Sequence, residues 1–285
     1  MTRRRFPVGK TLLYVFMSLW ALTTIYPFIW VILNSFKPRG LIRSDTFSLP
    51  IGDKFTLENY VTAFKRVDIG TAYVNSIVIS GAVTVVVMVL AGLAAYAMVR
   101  YSFRLRGFLH SMIIASMMFP VFSTIIPVFR MESSWGIVNT GSIWLTRLSV
   151  VLPQIAGNLS FAIIVLMGFI RSLPVDLEEA AYLEGYNVYQ IFFRIIMPLA
   201  KPSFATVGIF TFLWSYNDLF LQMFFLRSKK FFTITRLLNE ISSQAGTNYG
   251  LMVAAAGMVV IPVLVVYIFL QNYIIKGMTA GAVKG

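Results

Sequence analysis

The 285-residue chain contains no cysteine, which excludes disulfide staples and thiol chemistry. It has a single histidine, His110, so no metal centre can be assembled from paired imidazoles, and its place at the start of an apolar run suits a solvated or head-group position. Charged residues make up 12% of the chain, about half of the ~25% found in soluble domains. Acids are scarcest, 11 against 24 Lys and Arg, for a net charge of +13. The basic residues collect at the ends of apolar runs, where they anchor to lipid head groups, so the excess does not indicate nucleic-acid binding. Gly9-Lys10-Thr11 matches the close of a phosphate-binding loop, but the Gly required five places before Gly9 is Arg4. An apolar span follows it, so this chain is expected not to bind ATP through that motif. There is no internal repeat and no low-complexity stretch.

What the chain has in abundance is apolar sequence: 58% hydrophobic and 15% aromatic residues, with a mean hydropathy of +0.78. That composition predicts an all-α, polytopic membrane protein, a single bundle over residues 1–285. Six spans are expected, at about 11–34, 72–98, 108–129, 143–170, 203–226 and 250–275. The N-terminal Thr2-Arg3-Arg4-Arg5 has the basic start of a signal peptide, but no small-residue cleavage site follows, which reads as an uncleaved first helix. Pro27, Pro120, Pro127, Pro153 and Pro262 fall inside spans, where neighbours can satisfy the freed carbonyls. Gly81, Ala82, Ala91, Gly92, Ala94 and Ala95 give span two small faces for close helix packing. Six spans place both termini on one side. The Lys and Arg tallies of the two sides tie, and only the weight of the first helix favours the N-terminus inside.

The longest polar stretch of the second half runs from Ser172 to Pro202. Pro174 suits a first helical position, and Asp176, Glu178 and Glu179 place negative charge where the dipole of a first helix favours it. Gly185 falls where a left-handed stop is wanted. Asn187 and Gln190 have the spacing of a capping box for a second helix, whose apolar face would be Val188, Ile191, Phe192 and Ile195. Pro198 and Pro202 lead back into apolar sequence. The reading is helix, glycine turn, helix between spans four and five, with Ala180 and Ala181 offering a surface that a partner can approach closely.

Asp218 is the one acid inside a span, and such a residue is a functional candidate by default. Capping or pairing near the end of span five and a role in gating or lining a path both fit it. Asn158 and Ser160 in span four, with Trp214, Tyr216, Asn217 and Gln222 in span five, are the polar and aromatic groups suited to a water-filled path. Aromatic faces and amides are what sugar C–H surfaces and hydroxyls require. Hydrogen bonding between neighbouring helices is the alternative for each.

Glu179-Ala180-Ala181, three residues, Gly185, nine residues and Ile195-x-Met197-Pro198 resemble the EAA loop of bacterial ABC importer permeases, with Met197 in place of the usual Leu. Three further segments resemble the carbohydrate-uptake, maltose-transporter-like members of that family. They are Ser35-Phe-Lys-Pro38 with Phe55-Thr-Leu-Glu-Asn-Tyr60, Trp214 to Asp218, and the ending Gly277-x-Thr279-Ala-Gly281-Ala-Val-Lys284-Gly285. The resemblance covers nearly the whole chain and fits the shorter, six-span subunit of a heterodimeric pair. It implies a permease subunit of a bacterial ATP-driven sugar or oligosaccharide importer, not itself an enzyme, in the cytoplasmic membrane with both termini cytoplasmic. The implied partners are a second homologous permease, an ATPase dimer carrying ATP and Mg, an extracytoplasmic sugar-binding protein and membrane lipid. No nucleic acid and no cofactor on this chain are implied. Glu178, Glu179, Ala180, Ala181, Gly185, Ile195 and Pro198 would couple to the ATPase, and Thr279, Gly281 and Lys284 would reach it from the tail. An ion-driven secondary transporter would instead show several intramembrane acids or an inverted repeat. A non-transporting scaffold that uses the hairpin only to recruit a partner, or an ABC importer for another solute, would also fit the residues read alone.

Overall fold

The computed structural model describes residues 8–66, 68–245 and 248–282. In order these form α1 (Val8–Ser35), α2 (Arg39–Ser44), α3 (Glu58–Arg66), α4 (Ile69–Arg100), α5 (Arg106–Ser116), α6 (Val121–Ser134) and α7 (Ile143–Ile170). Then come α8 (Asp176–Leu183), α9 (Val188–Leu199), α10 (Lys201–Asn217), α11 (Phe220–Phe225), α12 (Ile234–Ala245) and α13 (Tyr249–Ala282). No strand occurs among the described residues. α1, α4 and α7 are each long and apolar enough to cross a membrane, and the number is up to five if each of the bent pairs α5–α6 and α9–α10 is one span.

The chain divides into two compact units. Unit 1 comprises residues 1–68 and 238–262. From residue 9 to residue 29, α1 is exposed within this chain throughout. The loop after it is ordered around Lys37, which is wholly buried. Its ammonium donates to the carbonyls of Asp45 (3.0 Å) and Thr46 (2.9 Å). Burial lowers the pKa of Lys37 from the usual lysine value, with the nearby Asp45 opposing the shift. Asn59 Nδ2 donates to the carbonyls of Ser35 and Lys37, at 3.0 and 2.8 Å. Tyr60 Oη pairs with Ser35 Oγ at 2.8 Å. The start of α13 comes close to this loop: a Cβ at Gly250 would collide with Asn59, and one at Gly257 would stand 3.1 Å from Tyr60 Oη.

Unit 2 comprises residues 69–237 and 263–285. Its core is α4 packed on α7 and α10. The buried side of α4 is set by small residues: Ala91 and Ala95 are fully buried, and a Cβ on Gly92 would stand 2.8 Å from Phe204 Cζ and 2.9 Å from Phe192 Cζ. The expected spans one, two and four coincide with α1, α4 and α7. The third does not form one rod. Met117–Pro120 interrupt it, and α5 and α6 meet at 104°. Pro120, which lacks the N–H a continuing helix needs, ends up as the residue that caps α6, while Pro127 lies inside α6 without ending it. The fifth is broken as well: α10 ends at Asn217 and Asp218 turns to an extended conformation before α11. Upstream, α9 and α10 meet at 82°.

Candidate functional site

The polar segment between α7 and α10 folds as helix, glycine turn, helix. α8 starts at Asp176, two residues after Pro174, with Asp176, Glu178 and Glu179 in its first turn. Gly185 has φ +85°. Its N–H bonds to the carbonyl of Tyr182 (3.0 Å), and the Tyr186 N–H bonds to that of Ala181 (3.0 Å), so the last carbonyls of α8 are satisfied by a Schellman turn. The capping box forms as expected: Gln190 N–H donates to Asn187 Oδ1, and Asn187 N–H donates to Gln190 Oε1, both at 2.9 Å. The buried face of α9 is Ile191, Phe192 and Ile196; of the face expected from the sequence, Val188 at the start of the helix is exposed and Ile195 is half-buried. A π-helical turn over Phe192–Ile196 supplies the cause, because each residue there advances through a smaller angle and the face slips by one position.

The two glutamates of α8 part company. Glu178 is 4% exposed. Its Oε1 accepts from Arg100 Nε at 2.5 Å, and its Oε2 accepts from Tyr96 Oη at 2.8 Å. Arg100 Nη2 also holds the carbonyl of Leu173 at 2.9 Å. Tyr101 Oη and Tyr182 Oη pair at 2.9 Å, and Phe192 packs on the Tyr96 ring with centroids 5.6 Å apart. Glu178, expected at the partner-facing surface, is therefore an internal strut between α8 and the end of α4. Ala181 is also buried. Glu179, Ala180 and Gly185 are exposed, as is Pro198 at the far end of α9, and Ile195 is half-buried. Leu183, which the sequence reading passed over, is 90% exposed at the end of α8. Its signal was a large apolar residue two positions before the glycine stop, followed by Glu184 and Gly185. Tyr96 and Arg100 were also missed, although their i, i+4 spacing places them on one face of α4.

A second polar site lies between α7 and α10. A cavity of about 310 Å³ is lined by Asn158, Trp214, Gln154, Ser215 and Asp218 together with apolar neighbours. Gln154 Nε2 donates to Asp218 Oδ2 (3.0 Å), and Ser215 Oγ donates to Gln154 Oε1 (2.6 Å). Asp218 Oδ1 accepts the Leu221 N–H (3.2 Å) in the first turn of α11. Trp214 is held edge-on by Phe161, with centroids 4.8 Å apart. Of the six residues expected on a path, Asn158 and Trp214 line this cavity and four do not. Ser160 pairs with Ser116 Oγ at 2.5 Å, joining α7 to α5. Tyr216 is buried against Phe212. Asn217 bonds back to the Leu213 carbonyl. Gln222 is buried, donating to the Ser215 carbonyl (3.1 Å) and accepting from Thr233. In a bundle with little water polar side chains are used between neighbouring segments first, as Ser160 and Gln222 are here, while the buried Tyr216 hydroxyl is left without a partner. Gln154 was the missed member, hidden directly after Pro153. Thr279 and Gly281 belong to α13, whose backbone stays helical to Ala282; Lys284 lies outside the described residues.

Residues 88–280 match a family described as the inner membrane component of binding-protein-dependent transport systems. The diacetylchitobiose uptake system permease protein of Streptomyces coelicolor is 33% identical over 95% of this chain and 88% of its own length. The trehalose transport system permease protein of Mycobacterium tuberculosis is 33% identical over 92% of this chain and 93% of its own. The melibiose/raffinose/stachyose import permease protein of Bacillus subtilis is 31% identical over 91% of each chain. A crystal structure of a bacterial ABC transporter involved in the import of the acidic polysaccharide alginate superposes with a TM-score of 0.80, at 23% identity, over 96% of this chain and 99% of that one. At that identity the likeness is one of fold.

Proposed function

The chain belongs to the family of binding-protein-dependent transport system inner membrane components, and on that premise we propose that it is the permease subunit of an ATP-driven importer for a sugar or oligosaccharide. The relatives quoted above are named for saccharide uptake, and the cavity beside Trp214 offers an aromatic ring with amide and hydroxyl groups, the donor and acceptor set such a cargo needs. Six spans cross the membrane: α1, α4, the α5–α6 pair, α7, α10 with α11, and α13. Both termini then lie in the cytoplasm, as does the α8–α9 hairpin. A second, homologous permease completes the path and membrane lipid covers the rest. ATP and Mg are held by a separate ATPase dimer, and an extracytoplasmic binding protein delivers the cargo.

The observation that carries this reading is the build of the hairpin. It is fixed to α4 from below by the Glu178 strut, and on its free side it presents Glu179, Ala180, Leu183 and Gly185 to a partner. A lever needs both properties, a rigid root and an open contact face. When the ATPase dimer closes, its pull on α8 passes through Glu178 to α4 and tilts the bundle between two discrete states. Thr279, Gly281 and Lys284 are read as a second contact with the ATPase.

Purification of the full chain from its host in mild detergent tests the assembly. A second permease and an ATPase at stoichiometric levels are expected, and the ATPase should be lost with Leu183→Asp or Glu179→Lys while the chain stays in the membrane. A chain that purifies without any ATPase overturns the proposal.

A further inference from the structure

At the end of unit 2 opposite the hairpin, the turn at 227–232 and the 136–142 connection enclose an open cleft of about 540 Å³. α4 runs about 48 Å between the two ends, at 1.5 Å per residue over its 32 residues. Arg227 and Lys230 are the only ionisable side chains among the described residues that line the cleft, and no carboxylate faces them there. Both are exposed. Neither is slack. The Arg227 guanidinium stands 5.3 Å from the centroid of the Phe129 ring, and the Lys230 ammonium stands 4.7 Å from that of Phe231.

The backbone that carries them is pinned from inside the bundle. Asn75 on α4 donates through Nδ2 to the carbonyls of Lys230 (3.2 Å) and Phe232 (3.1 Å). Arg147 on α7 donates to Asn75 Oδ1 (2.9 Å) and so fixes the orientation of that amide. Ser76 Oγ accepts the Ile234 N–H (2.8 Å). Polar groups at the ends of two apolar helices are thus committed to holding one exposed turn. Thr146 adds a second kind of observation: it is 1% exposed, lines the cleft, and its Oγ1 has no partner. A buried hydroxyl without a partner is a donor in want of an acceptor. The exposed Asn139, in a left-handed conformation with φ 55°, places a further amide at the rim.

Two fixed cations, a free hydroxyl and an amide around one opening make a receptor for a carboxylate. We propose that this cleft docks an acidic side chain, Asp or Glu, of the extracytoplasmic binding protein. The assignment rests on the orientation given above, which turns this end outward. The partner is chosen because the family depends on a binding protein, and because the cations stand on the open rim of the cleft. Fixed cations that a partner must find are expected to set association rate and salt dependence more than the rate of turnover.

The test uses the whole transporter in lipid nanodiscs, with its purified, cargo-loaded binding protein titrated against ATP hydrolysis. In Arg227→Glu/Lys230→Glu the half-saturating concentration of binding protein should rise at least about tenfold, while basal hydrolysis and the rate at saturation stay near wild type. Arg227→Gln/Lys230→Gln should shift it less, and raising salt from about 50 to about 300 mM should weaken the wild type more than either variant. An unchanged half-saturation point in both variants overturns the proposal. So does a shift that follows the anionic lipid content of the nanodisc rather than the binding protein, which would assign the cleft to a head group. If the wild-type complex itself shows no stimulation by any binding protein, it is the importer reading that fails.

Discussion

Replacing Glu178 by alanine should detach the coupling hairpin from α4. The carboxylate takes two hydrogen bonds, from Arg100 and Tyr96, and both charged side chains are withdrawn from water, at 11% and 5% exposure. Removing one partner of such a pair leaves the other charge buried, at a cost of about 3–5 kcal/mol. Arg100 keeps the Leu173 carbonyl, so the lower end of that range applies. Loss of about 3 kcal/mol of docking energy shifts a local equilibrium by more than a hundredfold. Glu178→Gln retains an oxygen for Arg100 and should lose about half as much. The assay is paired: cargo uptake into proteoliposomes, and ATP hydrolysis with and without binding protein. Glu178→Ala is expected to keep basal hydrolysis, to lose most of its stimulation, and to transport little. Arg100→Gln combined with Glu178→Gln should recover part of what each single change loses, because no lone charge remains. Wild-type uptake in Glu178→Ala, or a double variant whose losses simply add to within about 0.5 kcal/mol, refutes the strut.

Gly92→Leu should lower the melting temperature of the purified complex and reduce uptake, since even a Cβ there stands 2.8–2.9 Å from Phe204 and Phe192; overpacking of this kind costs about 1–3 kcal/mol. Gly185→Val forces a β-branched residue to φ +85° and should abolish uptake while the protein still inserts, measured by membrane fractionation beside transport. Lys37→Met should expose the 37–57 loop to proteolysis, because the Thr46 carbonyl loses its donor, at a cost of about 1–3 kcal/mol. The sign of its pH dependence follows from the lowered pKa: unfolding the loop takes up a proton, so protection should rise as pH climbs through the lowered value towards 10.5. That rise should be absent in Lys37→Met.

Some of this was legible in the residues and some was not, for identifiable reasons. The hairpin could be read because each of its signals is local: a capping box needs only Asn187 and Gln190, and a Schellman stop needs only Gly185. α1, α4 and α7 could be read from length and apolarity alone. The bend of span three could not. A proline in an apolar run is compatible with a mild kink or a full break, and Pro27, Pro127 and Pro153 lie inside continuous helices while Pro120 marks a break. The face of α9 was predicted one position off because the π turn depends on what Phe192 packs against, chiefly Tyr96 and Phe204 from distant segments. Which of the six path candidates line the cavity was not legible for the same reason. Residue type selects Gln222 and Asn158 equally, and only tertiary partners decide that one closes a hydrogen-bonded loop turn while the other meets a cavity.

α4 ties these observations together. Asn75 and Ser76, near its start, hold the 230–234 turn, and Tyr96 and Arg100, in its last turns, hold the hairpin. Between them lies a stretch whose buried face is small and closely packed, Val83, Val87, Ala91, Gly92 and Ala95. A helix bonded at both ends to polar turns and gripped along its middle does not bend easily, so displacement of one end must appear at the other. Of the three core helices, α7 shares both attachments more weakly: Arg147 reaches Asn75 at one end, while the Leu173 carbonyl that Arg100 holds lies just beyond its other end. α10 is attached at both ends by other means: it follows α9 directly at Lys201, and the carbonyls of Ser215 and Tyr216 accept from Gln222 (3.1 Å) and Thr235 (2.7 Å). If the hairpin couples and the opposite cleft docks as proposed, α4 is the helix whose own side chains reach both, with Asn75 and Ser76 at one joint and Tyr96 and Arg100 at the other.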